Sequence, residues 1–102
     1  MQTLTGKFCG MLGLCAKAGK ITYGAFGCEK GIKSGKIKLV VISAQASENT
    51  KKEFSDSCKY YDIPIIFSDE DIGKAVGKSA NKVFGITDAD FAKALIKKQS
   101  ET

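Results

Sequence analysis

The segment KITYGAFGCEKGIKSGKIKL, residues 20–39, combines a β-prone run, a turn, a helix and the start of a second strand. Lys20–Tyr23 predicts a short strand, Ala25–Ser34 predicts a helix, and Ile37 begins the next strand. Glycines recur along it in steps of three and four residues and so lie near one side of the helix: Gly24, Gly27, Gly31 and Gly35. Because glycine inside a helix costs about 1 kcal/mol relative to alanine, this glycine stripe needs an explanation.

The glycine stripe has two explanations. Small residues commonly allow another part of the protein to pack closely, and they also allow a ligand to approach the backbone. Lysines stand beside the stripe and at both of its ends: Lys20, Lys30, Lys33, Lys36 and Lys38. Cations next to a bare backbone suit a phosphodiester chain, so the local pattern leaves internal packing and RNA contact both open.

Positive charge is concentrated in the first half of the chain. The net charge is +5, and residues 1–47 hold seven lysines against one acid, whereas residues 48–102 hold nine lysines against ten acids. One-sided charge is expected when one face meets a polyanion, although positive charge also serves solubility. All 16 basic residues are lysines. Bidentate recognition of guanine by arginine is therefore excluded, and the cations can act only as point charges on phosphates.

The residues that usually carry chemistry do not indicate an enzyme. The chain has four cysteines, at positions 9, 15, 28 and 58, but no CxxC pair and no histidine, so free buried thiols are expected rather than a zinc site. The missing histidine also excludes Ser/His and Cys/His nucleophile pairs, and neither GxGxxG nor GxxxxGK[ST] occurs. The acids at 69–71 favour helix capping over Mg²⁺ binding. We predict no catalytic residue, no metal site and no cofactor.

Helical and strand patterns alternate along the chain. Further helices are predicted at Thr3–Ala18, Glu48–Tyr61, Asp69–Val76 and from an Asp88 cap to about Lys98, and further strands at Ile37–Ile42, Pro64–Phe67 and Lys82–Ile86. The run Ile37–Ile42 is β-branched or aliphatic at every position but Lys38, which is typical of a strand buried on both faces. The alternation predicts an α/β fold, a single-domain three-layer α-β-α sandwich with a four-stranded mixed sheet over residues 1–102, of which 97–102 form a frayed tail.

The location and partners are predicted from what the sequence lacks. No apolar run reaches the ~20 residues that a membrane-spanning helix needs. The first residues, MQTLTGKF, do not have the form of a signal peptide. We therefore expect a cytoplasmic protein without a membrane partner. We also expect a monomer with no small-molecule substrate.

The residues GAFGCEKGIKSG, 24–35, resemble the signature of the L-seven-Ae/L-thirty-e superfamily of ribosomal and kink-turn RNA-binding proteins. That signature reads G-[small]-N-E-x-x-K-x-[apolar]-x-x-G, and Gly24, Lys30, Ile32 and Gly35 match it. The segments LGLCAKAGKITYG, KIKLVVISA, ASENTKK and DIGKAVGK follow in family order and resemble the bacterial YlxQ-type members across residues 4–96. The resemblance implies a single RNA-binding domain of a non-enzymatic, ribosomal-protein-like ribonucleoprotein component.

The resemblance also implies a set of RNA-contacting positions. In the family, the Asn-Glu pair and the following lysine contact the sheared G·A pairs and backbone of a kink-turn, and a second loop before the last strand touches a bulged nucleotide. The corresponding positions here are Gly24, Ala25, Phe26, Gly27 and Lys30, with Lys78, Ser79, Ala80, Asn81 and Lys82 in the second loop. The lysines beside the glycine stripe add Lys20, Lys33 and Lys36 to the predicted RNA-contacting residues. Phe26 and Gly27 occupy the Asn-Glu slots, the second loop is cationic rather than apolar, and Gln45 replaces a usual loop acid.

These departures predict altered specificity, with contact mainly through the phosphate backbone. Each lost bidentate base contact removes about 1–3 kcal/mol of discrimination, whereas the lysines retain the nonspecific attraction to phosphates. Phe26 either stacks on an unpaired base or lies in the core. The alternative function is a protein-protein interaction module on the same scaffold, which the loss of the Asn-Glu pair and the acid-rich segment 48–90 favour.

Overall fold

The computed structural model describes residues 4–68, 72 and 81–100. Within these ranges the chain forms α1 (Leu4–Lys17), β1 (Ile21–Tyr23), α2 (Ala25–Lys33), β2 (Leu39–Ser43), α3 (Glu48–Tyr61), β3 (Ile65–Ser68), β4 (Val83–Ile86) and α4 (Ala89–Ser100). All of these elements were predicted to within a few residues. The predicted helix Asp69–Val76 lies, apart from Ile72, outside the described residues.

The four strands form one mixed sheet in the order β1-β4-β2-β3. β4 pairs antiparallel with β1 on one side and with β2 on the other, and β2 pairs parallel with β3. β1 and β3 are therefore the terminal strands of this sheet. The predicted four-stranded mixed sheet is confirmed.

β2 divides the interior into two cores. All of its residues are buried, and alternate side chains point to opposite faces because the side-chain period of a strand is two. Leu39 and Val41 join the core under α1 and α4, whereas Val40 and Ile42 join the core under α2 and α3. The other described members of the first core include Leu12, Cys15, Phe84 and Leu95, and those of the second include Cys28, Ile32, Phe54 and Cys58. The prediction of a doubly buried strand and three layers is confirmed.

The prediction that β2 begins at Ile37 is wrong. The amides of Lys36 and Ile37 both donate to the Gly31 carbonyl, at 2.9 and 3.2 Å, and so complete the C-terminal end of α2. Ile37 is nevertheless buried in the second core. Its apolar character reflects packing under α2 rather than a place in the sheet.

Local caps fix where the later helices begin. The Ser47 hydroxyl accepts from the Thr50 amide at 3.1 Å at the start of α3, and the Asp88 carboxylate accepts from the Phe91 amide at 2.9 Å at the start of α4. Each satisfies a backbone N–H that has no partner inside the helix. The predicted Asp88 cap is confirmed.

Candidate nucleic-acid interface

The start of α2 and the residues before β4 lie side by side. The Gly24 amide donates to the Val83 carbonyl at 3.0 Å. Gly24 has a φ of +85°, which is strained for any residue with a side chain, and a Cβ there would lie 3.5 Å from Asn81 Oδ1. The structure thus brings Gly24, at the start of α2, next to Asn81 and Val83, whereas Lys78, Ser79 and Ala80 lie outside the described residues.

Phe26 projects into solvent from the first turn of α2. Its side chain is 79% exposed, so the alternative of a core position is wrong. Lys30 Nζ lies 5.6 Å from the centroid of the Phe26 ring, within the range of a cation–π interaction. One face of α2 therefore presents a flat apolar ring with an ammonium group beside it.

Two members of the glycine stripe pack against the protein itself. A Cβ on Gly31 would come within 2.5 Å of Ile37 Cγ1, and a Cβ on Gly27 would come within 3.0 Å of Thr22 Cγ2. Both distances are too short for ordinary contact. The packing explanation therefore accounts for the absence of side chains at these two positions.

Replacing Gly31 by alanine is expected to lower the free energy of unfolding by up to about 2 kcal/mol. Overpacking costs about 1–3 kcal/mol, and the gain in helix propensity returns about 1 kcal/mol of it. The matched control is Gly10→Ala in α1, where a Cβ meets nothing within 4 Å, so the same change should stabilise. Urea unfolding of both variants measures the change in the free energy of unfolding, which should be a decrease in Gly31→Ala and an increase in Gly10→Ala. Equal stabilisation in both would show that the contact with Ile37 imposes no constraint.

The two packed glycines also line a groove of about 360 Å³ between α2 and the edge strand β1. Lys30 and Lys36 contribute cations, and Thr22, Ser34 and Thr87 contribute hydroxyl-bearing side chains. No acidic side chain is among the described residues that line it. We call it the lysine groove. Its charge and hydrogen-bonding groups are complementary to an anionic chain.

The predicted cations do not form a single cluster. Lys30 and Lys36 share the lysine groove, and Lys82 lies at the Gly24 end, where its carbonyl accepts from the Ser43 amide at 2.9 Å. Lys20 lies at the opposite end of β1, where its carbonyl accepts from the Thr87 amide at 3.0 Å. The positive charge is therefore spread along the length of α2, which rises about 1.5 Å per residue, and is not concentrated at one point.

The other side of α2 has a different character. A pocket of about 540 Å³ between α2 and α3 is lined by Phe26, Lys30 and Lys33, but also by the acids Glu29, Glu53 and Asp56. The Ser57 hydroxyl donates to Glu29 Oε1 at 3.3 Å and links the two helices. Carboxylates repel phosphates, so the side of α2 that suits a polyanion is the one facing β1.

Sequence reasoning missed three residues of the lysine groove: Thr22, Ser34 and Thr87. Thr87 follows β4 and reaches the groove because β4 pairs with β1 in the register Ile21 with Ile86. Only the strand pairing reveals this proximity. Ser34 had a weaker signal, since it lies three residues from Gly31 of the glycine stripe and four residues from Lys30 beside it.

The described cysteine side chains are buried free thiols, as predicted. Burial raises the pKa of Cys15 to about 11, with a smaller contribution from Asp88. Burial also raises the pKa of Cys28 to about 12, with Cys58 and Glu29 adding to the effect, and the pKa of Cys58 to about 11, with Glu29 adding to it. Within the described ranges no group of three or more metal-ligating side chains comes together.

These thiols are expected to resist alkylation in the folded protein at pH 8, because the thiolate is the reactive species. Their raised pKa means that the folded state retains protons that the unfolded state loses above about pH 9, so stability should fall as the pH rises from 9 towards 11 or 12. Iodoacetamide labelling read by peptide mass spectrometry, with and without urea, measures the protection. Rapid native labelling at any of the three would contradict the burial.

In the part of the chain that the structure describes, no helix combines the length and apolar character needed to cross a bilayer.

Comparison with known proteins gives three kinds of match. The model of the ribosomal protein L7Ae/L30e/S12e/Gadd45 family matches residues 7–96. A relative from Enterococcus faecium, RNA-binding protein YlxQ, is 41% identical over 85 residues, covering 81% of this chain and 82% of the relative. The protein of the same name from Bacillus subtilis strain 168 is 38% identical over 88 residues, covering 84% of this chain and 88% of that relative.

Solved structures that share the fold include the following two. A protein of unknown function from Bacillus halodurans C superposes with a TM-score of 0.88 at 32% identity, covering 92% of this chain and 97% of that one. The 15.5 kD RNA-binding protein of Giardia lamblia superposes with a TM-score of 0.77 at 21% identity, covering 100% of this chain and 92% of that one. The second similarity concerns the fold alone.

Proposed function

This chain belongs to the ribosomal protein L7Ae/L30e/S12e/Gadd45 family, and we propose that it is a non-enzymatic protein that binds structured, kink-turn-like RNA. One observation carries the proposal: α2 exposes the Phe26 ring with the Lys30 ammonium group beside it, and Gly24 at the start of α2 lies next to Asn81, which belongs to the second segment that corresponds to a family contact. Relatives at 41% and 38% identity that are called RNA-binding proteins support it.

In this proposal the RNA backbone runs along the lysine groove. Lys30 and Lys36 neutralise phosphates there, and Thr22 and Thr87 supply hydroxyls that donate to phosphate oxygens, whereas the Ser34 hydroxyl donates to the Gly31 carbonyl at 3.2 Å. Lysine lacks the planar guanidinium group with which arginine forms two hydrogen bonds to guanine. Contacts in the lysine groove therefore recognise the shape of the RNA rather than its base sequence.

The base contacts differ from those of the family pattern. Phe26 stands where the family has asparagine and offers stacking in place of hydrogen bonds to a base edge. Gly27 stands where the family has glutamate, and a Cβ at this position would crowd Thr22. A larger residue at position 27 would therefore displace Thr22, and the altered specificity follows from the packing of α2 on β1.

A binding titration tests the proposal. One labelled RNA hairpin carries an internal loop with tandem G·A pairs, and its control has Watson–Crick pairs in place of the loop. Fluorescence anisotropy should show tighter binding of the internal-loop hairpin, with both affinities falling steeply between about 50 and about 200 mM salt. Equal affinities would contradict recognition of the bend, and no binding of either RNA would overturn the proposal.

The mixed-charge pocket between α2 and α3 favours a second candidate function, a protein-protein interaction module. Its carboxylates are unfavourable for phosphates, and its Phe26 and lysine side chains could pair with a partner of mixed charge. Affinity capture from lysate with and without RNase separates the two functions. Partners that survive RNase favour the module, and partners that depend on intact RNA favour the RNA-binding protein.

The proposal also covers the cellular location, the oligomeric state and the target RNA of the protein. We place the protein in the cytoplasm as a monomer, acting on ribosomal or other structured RNA without a cofactor. Fractionation of cells and sedimentation of the pure protein test the location and the oligomeric state, and sequencing of crosslinked RNA identifies the target.

A further inference from the structure

A separate cleft of about 300 Å³ lies at the end of α2 that is far from Phe26. Its lining includes Ile37, Lys33 and Lys38 from α2 and the residues after it, and Tyr61, Asp62 and Pro64 from the end of α3 and the residues before β3. The volume is at the low end of the range for small-ligand sites. We call it the Tyr61 cleft.

We propose that the Tyr61 cleft binds one unpaired nucleotide of the RNA, with its base on the Tyr61 ring and its phosphate between Lys33 and Lys38. This inference rests on the proposed RNA-binding function and extends it to a second contact at the opposite end of α2.

The aromatic and apolar residues that line the cleft suit a nucleobase. Tyr61 is 42% exposed, and its ring meets the Tyr60 ring edge-on, with centroids 4.9 Å apart at 77°. Such a contact limits the rotation of Tyr61 and leaves part of its ring open to a ligand. Apolar residues line the cleft together with Tyr61, namely Ile32, Ile37, Ile63 and Pro64. An aromatic ring among apolar residues favours a flat, partly apolar ligand.

Asp62 adds a hydrogen-bond acceptor to the same cleft. It ends α3 in the left-handed conformation, with φ of 57° and ψ of 48°, and it lines the cleft together with Tyr61. A carboxylate accepts from the exocyclic amine of adenine or cytosine. Uracil has no such amine, so the cleft should prefer adenosine to uridine.

The cations of the cleft suit a phosphate. Lys33 and Lys38 are both exposed and both line the cleft, against the one carboxylate of Asp62. Lys38 Nζ donates to the Gly35 carbonyl at 3.2 Å, which holds the ammonium group near the end of α2. Because carbonyls at a helix C-terminus carry partial negative charge, an anion can bind here only where lysines outweigh them.

The position of the cleft indicates an RNA strand rather than a free nucleotide. Ile37 lines both the lysine groove and the Tyr61 cleft, so the two cavities adjoin at the C-terminal end of α2. A strand that passes Lys30 and Lys36 in the groove arrives at Lys38 and Tyr61. The neighbouring phosphates of a strand therefore gain contacts that a mononucleotide cannot make.

The first test maps binding on backbone amides of the isotope-labelled protein by NMR. The probes are a six-nucleotide adenosine oligoribonucleotide, its uridine counterpart and adenosine monophosphate. We expect the adenosine oligomer to shift the amides of Gly35, Lys38 and Ile63, and to bind about tenfold more tightly than the other two probes. The inference is overturned if these amides do not move, or if adenosine monophosphate binds as tightly as the oligomer.

The second test uses variants of the full chain. Tyr61→Ala should weaken binding of the adenosine oligomer about tenfold, within the range for loss of base–aromatic stacking, and Tyr61→Phe should retain the affinity. Phe67→Ala is the matched control, because Phe67 is 44% exposed and does not line the cleft. Equal losses in Tyr61→Ala and Phe67→Ala would overturn the inference, as would a loss in Tyr61→Phe equal to that in Tyr61→Ala.

The two proposals fail separately. Amide shifts at Gly24 and Gly27 on adding the internal-loop hairpin report the proposed function, whereas shifts at Gly35 and Lys38 on adding the oligomer report the cleft. An RNA contact confined to the Gly24 end would leave the proposed function in place and overturn the inference.

Discussion

Replacing Lys30 and Lys36 by alanine is expected to lower the slope of log affinity against log salt by about 1.4–1.8, the sum of about 0.7–0.9 for each lost phosphate contact. Both side chains are exposed, and both residues line the lysine groove. Anisotropy titrations of the internal-loop hairpin at several salt concentrations measure the slope. Folding should be unaffected, since neither ammonium group is buried.

The matched control removes two lysines from the opposite layer of the fold. Lys93 and Lys97 are exposed on α4, across the sheet from α2, so Lys93→Ala with Lys97→Ala lowers the net charge equally. This control should leave the slope within experimental error of the parent. If the slope falls equally in the two double variants, the attraction between protein and RNA depends on overall charge rather than on the lysines of the groove.

Replacing Phe26 by alanine is expected to weaken binding of the internal-loop hairpin by roughly 5- to 150-fold, which corresponds to the loss of about 1–3 kcal/mol of base stacking. Phe26→Tyr keeps a ring that can stack and should remain near the parent affinity. Because the Phe26 side chain is 79% exposed, its loss should barely change the urea midpoint. Anisotropy and urea unfolding of the same preparations separate the two effects.

The salt slope distinguishes Phe26 from the lysines. Phe26→Ala should lower affinity at every salt concentration and leave the slope unchanged, because the ring neutralises no phosphate. Unchanged affinity in Phe26→Ala would show that the ring does not contact RNA. A large loss of stability would show that the ring packs against the protein, contrary to its exposure.

The strands and helices could be predicted because their patterns are local. The run from Leu39 to Ile42 is apolar at every position, and both faces of β2 are buried. Ile37 precedes this run, separated from it by Lys38, and lies outside the strand because its amide donates to the Gly31 carbonyl at the end of α2. The sequence shows that Ile37 is buried but not which hydrogen bonds hold it.

The candidate site was less predictable, because it depends on contacts between distant segments. The steps between the glycines place them on one side of α2, but only the positions of Thr22 and Ile37 show that Gly27 and Gly31 are needed for packing. An aromatic residue at position 26 fits either the core or an exposed surface that stacks on a base, and only the exposure of Phe26 in the structure decides between them. Thr87 reaches the lysine groove through strand pairing, which no local pattern reveals.

The most direct test of the RNA-binding account is ultraviolet crosslinking of the protein to RNA in cells, with the crosslinked peptides identified by mass spectrometry. The account predicts crosslinks at Phe26 and in the peptide containing Asn81 and Lys82, which the structure places beside Gly24. Crosslinks confined to α4, on the opposite face of the sheet, or the absence of any crosslink to RNA, would contradict it.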